Sequence, residues 1–348
     1  MKSAPSEAPR RSARRGALVL MGGTLASRVT GLLRNSLLNQ LFDARITDAF
    51  TVALRVPNLF RELLAEGALS NSFVPVYARL RGSAPREARR LAGALLSALI
   101  VLNGLLVLAA TLAAPWIVGV LLGAEGSVDA DLAVRLTRAV FPFLFAVSLS
   151  AWAMGILNAE ERFFAPAWAP VALNVVTVAG MLLFPGAAIP LAVSFALGGL
   201  AQFVVQLPAL FAAGIWPGLA RPWHASVLPV LVLMVPFAVT TSGRQFVNVV
   251  ATRILDDLPS GSQTAWFNAD LFLSLALGLF AVSPAVAFYA RLSNLAGRDE
   301  AAFAPTLREG LGFIGFLAAP AGLLLAALAE PAVRVTFQAI STRPSRCD

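Results

Sequence analysis

Residues 163–220 read FFAPAWAPVALNVVTVAGMLLFPGAAIPLAVSFALGGLAQFVVQLPALFAAGIWPGLA and contain no Asp, Glu, Lys or Arg. A helix that spans a membrane needs about 20 apolar residues, so this block is long enough for two such helices. Near its middle lies FPGAAIP, residues 184–190, and proline and glycine are typical of a turn. The block therefore predicts two transmembrane helices, over about 166–184 and 189–213.

The same pattern extends over the rest of the chain. Hydrophobic residues make up 58% of the sequence and charged residues 13%, against about 25% charged in soluble domains. We predict an all-α polytopic membrane protein with about nine transmembrane helices. The predicted spans are 17–42, 46–78, 91–122, 133–157, 166–184, 189–213, 226–254, 263–293 and 309–330.

The connectors between these spans predict the orientation of the chain. The N-terminal tail and the connectors after spans two and eight, 79–90 and 291–300, are basic. The connectors after spans three and seven, 123–131 and 256–262, are acidic and contain no Lys or Arg. Because basic connectors face the cytoplasm, we expect a cytoplasmic N-terminus. A signal peptide is a weaker interpretation, since the apolar pattern resumes beyond Arg28.

Composition excludes several classes of function. One cysteine, Cys347, excludes an internal disulfide framework and a Cys-based metal site, and the single histidine, His224, excludes a His-rich metal centre. No nucleophile elbow or phosphate-binding loop is present, so we predict no enzyme, no catalytic residues and no cofactor. The net charge of +8 lies mostly in short connectors, which disfavours a nucleic-acid partner.

Span two carries a polar stripe on an otherwise apolar helix. Successive helical residues rotate by about 100°, which places six polar side chains within a sector of roughly 80°. Such a stripe favours a bundle interior or a water-filled cavity over lipid. Its members are Asp48, Thr51, Arg55, Asn58, Glu62 and Glu66.

Spans one and two together supply four arginines, Arg28, Arg34, Arg55 and Arg61. The guanidinium group stays protonated and presents a fork of donors that suits phosphate or pyrophosphate, so these arginines are candidate substrate ligands. The alternative is a structural network in which carboxylates neutralise them. For Asn174 in span five, a hydrogen bond between helices is the favoured interpretation. The candidate carboxylates, for gating or for neutralisation, are Asp48, Glu62 and Glu66.

Three segments carry a resemblance to a known family. SRVTGLLRNSLL at 27–38, TDAF at 47–50 and PNLFRELLAEGALSNSFVPV at 57–76 stand in order with close spacing. This pattern resembles the N-terminal signature of the MurJ/MviN family, the lipid II flippases of peptidoglycan synthesis. The family lies in the multidrug/oligosaccharidyl-lipid/polysaccharide exporter superfamily.

The resemblance implies a two-lobe transporter that works by alternating access around a central cationic cavity. Its substrate would be lipid II, an undecaprenyl-pyrophosphate-linked precursor, with membrane lipids and cell-wall synthesis proteins as further partners. Arg28, Arg34 and Arg61 match arginines of that cavity, and Asp48 and Glu66 match acidic positions of the signature. The implied domains are a basic cytoplasmic tail at 1–16, an N-lobe of six helices at 17–214, a partial C-lobe of three helices at 215–331 and a divergent polar tail at 332–348.

The sequence departs from the family pattern in three ways. Leu271 stands where the eighth helix of the family usually carries an arginine, and the seventh span has no acidic residue. The family has about fourteen helices, and the pattern changes after Gln338, which indicates a truncated or frame-shifted product. Two other functions stay open, namely export of another lipid-linked oligosaccharide or amphiphile, and a non-transporting scaffold in cell-wall synthesis.

Overall fold

The computed structural model is helical throughout the residues that it describes, which are 7–63, 69–123, 126–214, 218, 220, 227–282, 284–285, 288, 292, 295 and 300–338. Two single π-helical turns, Gly278–Val282 and Arg334–Gln338, accompany the α-helices. The α-helices are α1 Glu7–Leu41, α2 Ala44–Leu63, α3 Leu69–Ser83, α4 Pro85–Leu112, α5 Ala114–Leu121, α6 Ala130–Val140, α7 Pro142–Ala159, α8 Phe164–Leu183, α9 Ala188–Val204, α10 Leu207–Ala212, α11 Val227–Asp256, α12 Ser262–Leu277, α13 Glu300–Ala327 and α14 Ala329–Val333.

Five helical segments in the described part of the chain are long and apolar enough to cross a membrane. They coincide with five of the predicted spans and make this a multi-pass membrane protein. The remaining four predicted spans fall on α1, on α2 with α3, on α11 and on α12, so for these the count of nine stays a prediction. The five segments are Pro85–Leu112, Ala130–Ala159, Phe164–Leu183, Ala188–Ala212 and Ala302–Ala327.

The turn predicted between spans five and six is present. Helix α8 ends at Leu183 and α9 begins at Ala188. Gly186 between them has φ of 74°, a left-handed conformation that glycine adopts without steric cost. The two helices then pack side by side as an antiparallel pair, as the short connection requires.

The second predicted span consists of two helices in the structure. Helix α2 contains Pro57 and ends at Leu63, and α3 begins at Leu69. Residues 64–68 lie outside the described part of the chain, so the predicted continuous span is described only as these two pieces. Asp48 and Thr51 of the polar stripe are buried, whereas Arg55 and Asn58 are half-buried.

Aromatic side chains fill the centre of the bundle formed by α2, α7 and α9. The Phe195 ring lies 4.7 Å from the ring of Phe143 and 5.8 Å from that of Phe50, centroid to centroid. A second buried cluster surrounds Trp152 of α7, whose indole N–H donates to the Ala92 carbonyl oxygen of α4 at 3.0 Å. Buried polar groups in membrane bundles find such partners on neighbouring helices.

The outward faces of the apolar helices are exposed and hydrophobic. On α4 and α5, Leu105, Leu112 and Trp116 are 62%, 71% and 72% exposed. A soluble protein rarely exposes a contiguous apolar surface of this kind, whereas a bilayer covers it. The exposed faces therefore agree with the membrane class that the composition predicts.

The chain divides into two compact units, Met1–Gln263 and Thr264–Asp348. Helix α11 packs against α2 and α3 within the first unit. The lobe boundary at 214/215 that the resemblance implies differs from this division and stays a prediction.

Close packing of α8 and α9 depends on Gly198. A methyl group at this position would lie 2.8 Å from the Leu173 carbonyl oxygen, which is backbone and cannot turn away. We expect Gly198→Ala to destabilise the purified protein by about 1–3 kcal/mol, because overpacking forces the helices apart. Thermal unfolding in detergent measures this. Gly104→Ala, which meets nothing within 4 Å, is the matched control and should unfold like the parent.

The start of α6 is held by Asp129. Its Oδ1 accepts the Leu132 backbone N–H at 2.8 Å, the pattern of an N-cap, and its Oδ2 accepts from the Arg45 guanidinium of α2. The Leu132 N–H and then the Arg45 hydrogen bond hold the pKa of the Asp129 carboxyl below its usual value. Asp129 therefore contributes stability that is present above the unfolded pKa of about 3.9 and is lost as pH falls through the folded pKa.

We expect Asp129→Ala to lower the free energy of unfolding by about 1 kcal/mol at pH about 7, and by less at a pH below the folded pKa of Asp129, where the parent has lost the same interaction. Asp129→Asn keeps an oxygen for the cap but loses the ion pair. Its free energy of unfolding should lie between those of the parent and of Asp129→Ala. Thermal unfolding in detergent at both pH values checks this. Equal destabilisation by Asp129→Ala at the two pH values would contradict it.

Candidate functional site

The side chain of Arg34 lies where α1 meets α8 and α9. Its Nη1 donates to the Asn174 side-chain oxygen at 3.1 Å, and its Nε and Nη2 donate to the Asn35 side-chain oxygen at 3.3 and 3.1 Å. The guanidinium carbon lies 5.6 Å from the centroid of the Phe195 ring. These described partners are all neutral, so they orient the guanidinium without cancelling its charge.

Asn174 is the buried residue that connects α8 to α1. Its side-chain N–H groups donate to the Ser27 carbonyl oxygen at 3.1 Å and to the Thr30 hydroxyl at 3.0 Å. Because the amide nitrogen is engaged there, the amide oxygen points to Arg34. Asn174 thus forms the helix–helix hydrogen bonds favoured by the sequence, and it also positions an arginine.

A second arginine acts on the same site. Arg61 lies in the last turn of α2, half-buried, and its Nε donates to the Asn58 side-chain oxygen at 3.4 Å. The positive charges of Arg34 and Arg61 repel each other across the two helices. The structure therefore brings together two of the four predicted arginines. Of the other two, Arg28 is exposed on α1 and Arg55 is half-buried in α2.

The structure places the three candidate carboxylates in different surroundings or leaves their side chains undescribed. Asp48 is buried near the start of α2 and accepts the Gly261 backbone N–H at 2.5 Å, which connects α2 to the α11–α12 connector. Glu62 lies in the last turn of α2, but its side chain is outside the described part, as is the whole of Glu66. The predicted pairing of these acids with the arginines stays a prediction.

Two residues of the site are not predicted from the sequence. Asn35 follows Arg34 directly and supplies two of its hydrogen bonds, a role that adjacency alone does not reveal. Phe195 comes from α9, far away in sequence, and its contact arises only from helix packing. The site thus combines an Arg34 guanidinium oriented by neutral side chains with a second cation, Arg61. Among the described residues, no group of His, Cys, Asp and Glu side chains is arranged to hold a metal ion.

The sequence matches the family model described as lipid II flippase MurJ over residues 38–344. The match continues beyond Gln338, so the resemblance extends further along the chain than the sequence analysis places it. Two curated relatives are the probable lipid II flippase MurJ of Bdellovibrio bacteriovorus, 36% identical over 339 residues, and the lipid II flippase MurJ of Burkholderia cenocepacia, 35% identical over 338 residues. These alignments cover 94% and 93% of this chain, which spans 65% of the length of each relative.

Two solved structures are similar to this chain. One is described as lipid II flippase MurJ in an inward closed conformation, with a TM-score of 0.76, 25% identity, and coverage of 92% of this chain and 68% of that one. The other is an inward-facing multidrug resistance MATE family transporter of the MOP superfamily, with a TM-score of 0.71 and 16% identity over 94% of this chain and 76% of that one. The second similarity shows the fold alone.

Removing the Asn174 side chain tests the positioning of Arg34. We expect Asn174→Ala to destabilise the protein by about 1–3 kcal/mol, because the Arg34 guanidinium loses an acceptor and the Ser27 carbonyl and Thr30 hydroxyl lose a donor. It should also weaken binding of inorganic pyrophosphate, measured by calorimetry, because Arg34 loses one of its two orienting side chains. Thr30→Val removes one partner of Asn174 but leaves the Arg34 bond, and should affect stability alone. Equal loss of pyrophosphate binding in both variants would contradict the positioning role.

Proposed function

Because the chain belongs to the lipid II flippase MurJ family, we propose that it translocates the lipid-linked peptidoglycan precursor lipid II across the bacterial cytoplasmic membrane. The N-terminus lies in the cytoplasm, in agreement with the basic connectors. The lipid tail stays in the bilayer while the polar headgroup crosses through an arginine-lined cavity by alternating access. The observation that carries this proposal is the Arg34 guanidinium, which amide side chains orient without cancelling its charge and which the positive charge of Arg61 repels.

An anionic headgroup would relieve that repulsion. A pyrophosphate has oxygens enough to accept hydrogen bonds from two guanidinium groups at once, and each bond would be charge-assisted. Arg34 is oriented for this by Asn35 and Asn174, so little side-chain freedom is lost when the ligand binds. Arg28 and Arg55 line the same pathway, Arg28 from an exposed position on α1 and Arg55 from within α2.

The carboxylates Asp48, Glu62 and Glu66 balance the arginines and exchange partners between the inward and outward states. Support for this role comes from Asp48, which is buried and already bonded to a connector backbone rather than left free in the apolar bundle. A buried carboxylate needs such a partner in every state that the protein visits. Its hydrogen bonds therefore report which state is populated.

Translocation of lipid II by the purified chain in liposomes tests the proposal. We expect Arg34→Ala and Arg61→Ala each to weaken headgroup binding about tenfold or more, since a hydrogen bond to a charged group is worth about 1.5–3 kcal/mol and 1.4 kcal/mol is tenfold. Arg34→Lys keeps the positive charge but not the forked arrangement of guanidinium donors. It should bind the headgroup more weakly than the parent and more tightly than Arg34→Ala.

Arg86→Ala is the matched control, because Arg86 is exposed in the first turn of α4 and makes none of the contacts of the site. It should bind and translocate like the parent. The proposal fails if the folded Arg34→Ala and Arg61→Ala variants translocate lipid II at the parental rate, or if the parent chain moves none.

A further inference from the structure

Asp256, the last residue of α11, is a carboxylate that is almost completely buried, with 1% of its surface exposed. Its Oδ2 accepts the Gly123 backbone N–H at 2.7 Å, and its Oδ1 accepts the Val128 backbone N–H at 3.1 Å. Its own backbone carbonyl accepts the Ser127 N–H at 2.8 Å. Three hydrogen bonds therefore fasten the end of α11 to the connector between α5 and α6.

The backbone of this connector is shaped for the carboxylate. A methyl group on Gly126 would overlap the Asp256 carboxylate, and one on Gly123 would overlap the Arg253 guanidinium. Glycine at both positions lets the connector approach α11 closely enough for its N–H groups to reach the acid. The contact therefore depends on the close approach of the connector backbone to the end of α11.

A boundary between buried and exposed residues runs through the contact. Val128 is buried at 7% exposure and packs into the apolar core, whereas Ser127 and Asp257 beside it are exposed. The α11–α12 connector is held a second time, where Gly261 donates to Asp48. All of these residues lie within the first compact unit.

We propose that Asp256 is a releasable latch, which holds the α5–α6 connector against the end of α11 in the closed state and lets go when the protein opens on that side. This inference rests on the proposed function, because alternating access requires one side to open while the other is closed. Both connectors follow odd-numbered spans, so a cytoplasmic N-terminus places them together on the opposite side of the membrane.

The chemistry of the latch allows it to be stable both closed and open. Closed, the carboxylate has lost its water but gains two backbone donors, and hydrogen bonds to an ionised acceptor are strong. Open, the group lies at the end of a helix beside a polar connector, where water replaces those donors. An acid buried deep in the bundle could not be released in this way.

The closed latch is tested by the accessibility of position 128. In a chain carrying Val128→Cys and Cys347→Ser, a membrane-impermeant maleimide added from the α5–α6 connector side should label Cys slowly. We expect Asp256→Ala to speed labelling about tenfold or more, because two hydrogen bonds to a charged group are lost. Asp256→Asn keeps one acceptor oxygen and should be intermediate. Asp257→Ala is the matched control, since this neighbouring acid is exposed, and should leave labelling unchanged.

Release is tested by locking the contact with Asp256 intact. Ser127→Cys and Asp257→Cys, again with Cys347→Ser, are joined by a short bifunctional maleimide, and the joined protein is compared with the same variant left unjoined. We expect the joined protein to bind lipid II headgroup but to translocate none. Normal translocation by the joined protein would show that the contact never opens and would overturn the latch.

The two hypotheses can fail separately. If the unjoined variant and the parent both move no lipid II, the proposed function fails, and the maleimide labelling alone then judges the latch. Labelling that is equally slow in Asp256→Ala and the parent would overturn the latch whatever the transport result. Asp256→Asn serves the same comparison where the alanine variant does not fold.

Discussion

A guanidinium inside an apolar bundle must be supplied with acceptors, and this requirement orders the arrangement of α1, α8 and α9. Arg34 takes its acceptors from Asn35 and Asn174, and Asn174 is held in turn by Thr30 and Ser27. These hydrogen bonds pair groups of α1 with Asn174 of α8, so sliding or rotating α1 against α8 would leave buried polar groups unpaired. The charge remains, because the acceptors are amides and not carboxylates.

In this bundle the same side chain packs in the apolar core and contacts the candidate site. The Phe195 ring contacts Phe143 and Phe50 on one side and lies beneath the Arg34 guanidinium on the other. The apolar core therefore fixes the ring, and the ring helps to fix the cation. Close approach of α8 and α9 at Gly198 is part of the same arrangement, since it sets the distance from Asn174 on one helix to Phe195 on the next.

Whether a contact of the fold or of the candidate site can be predicted from the sequence depends on how far apart in the chain its residues lie. The turn at 184–190, five of the apolar spans and the helix–helix role of Asn174 follow from local composition and spacing, and the structure contains them. The arginines were identified because a charge in an apolar span is conspicuous. Phe195 and Asp256 were not identified, because one contact arises from packing of distant helices and the other joins a side chain to backbone N–H groups, which any residue supplies. No pattern in a single sequence marks such partners.

Helix α2 joins the two functional regions of the first unit. Asp48 near its start is bonded to Gly261 in the α11–α12 connector, and Arg61 in its last turn interacts with Arg34. At 1.5 Å per residue these two positions lie about 20 Å apart along the axis. Under the proposed function, a substrate that draws Arg61 toward Arg34 would act on the same helix whose other end holds the connector, so that binding and release would share one element. Pro57 lies between them and has no backbone N–H to donate within α2, and proline in a helix interior favours a bend.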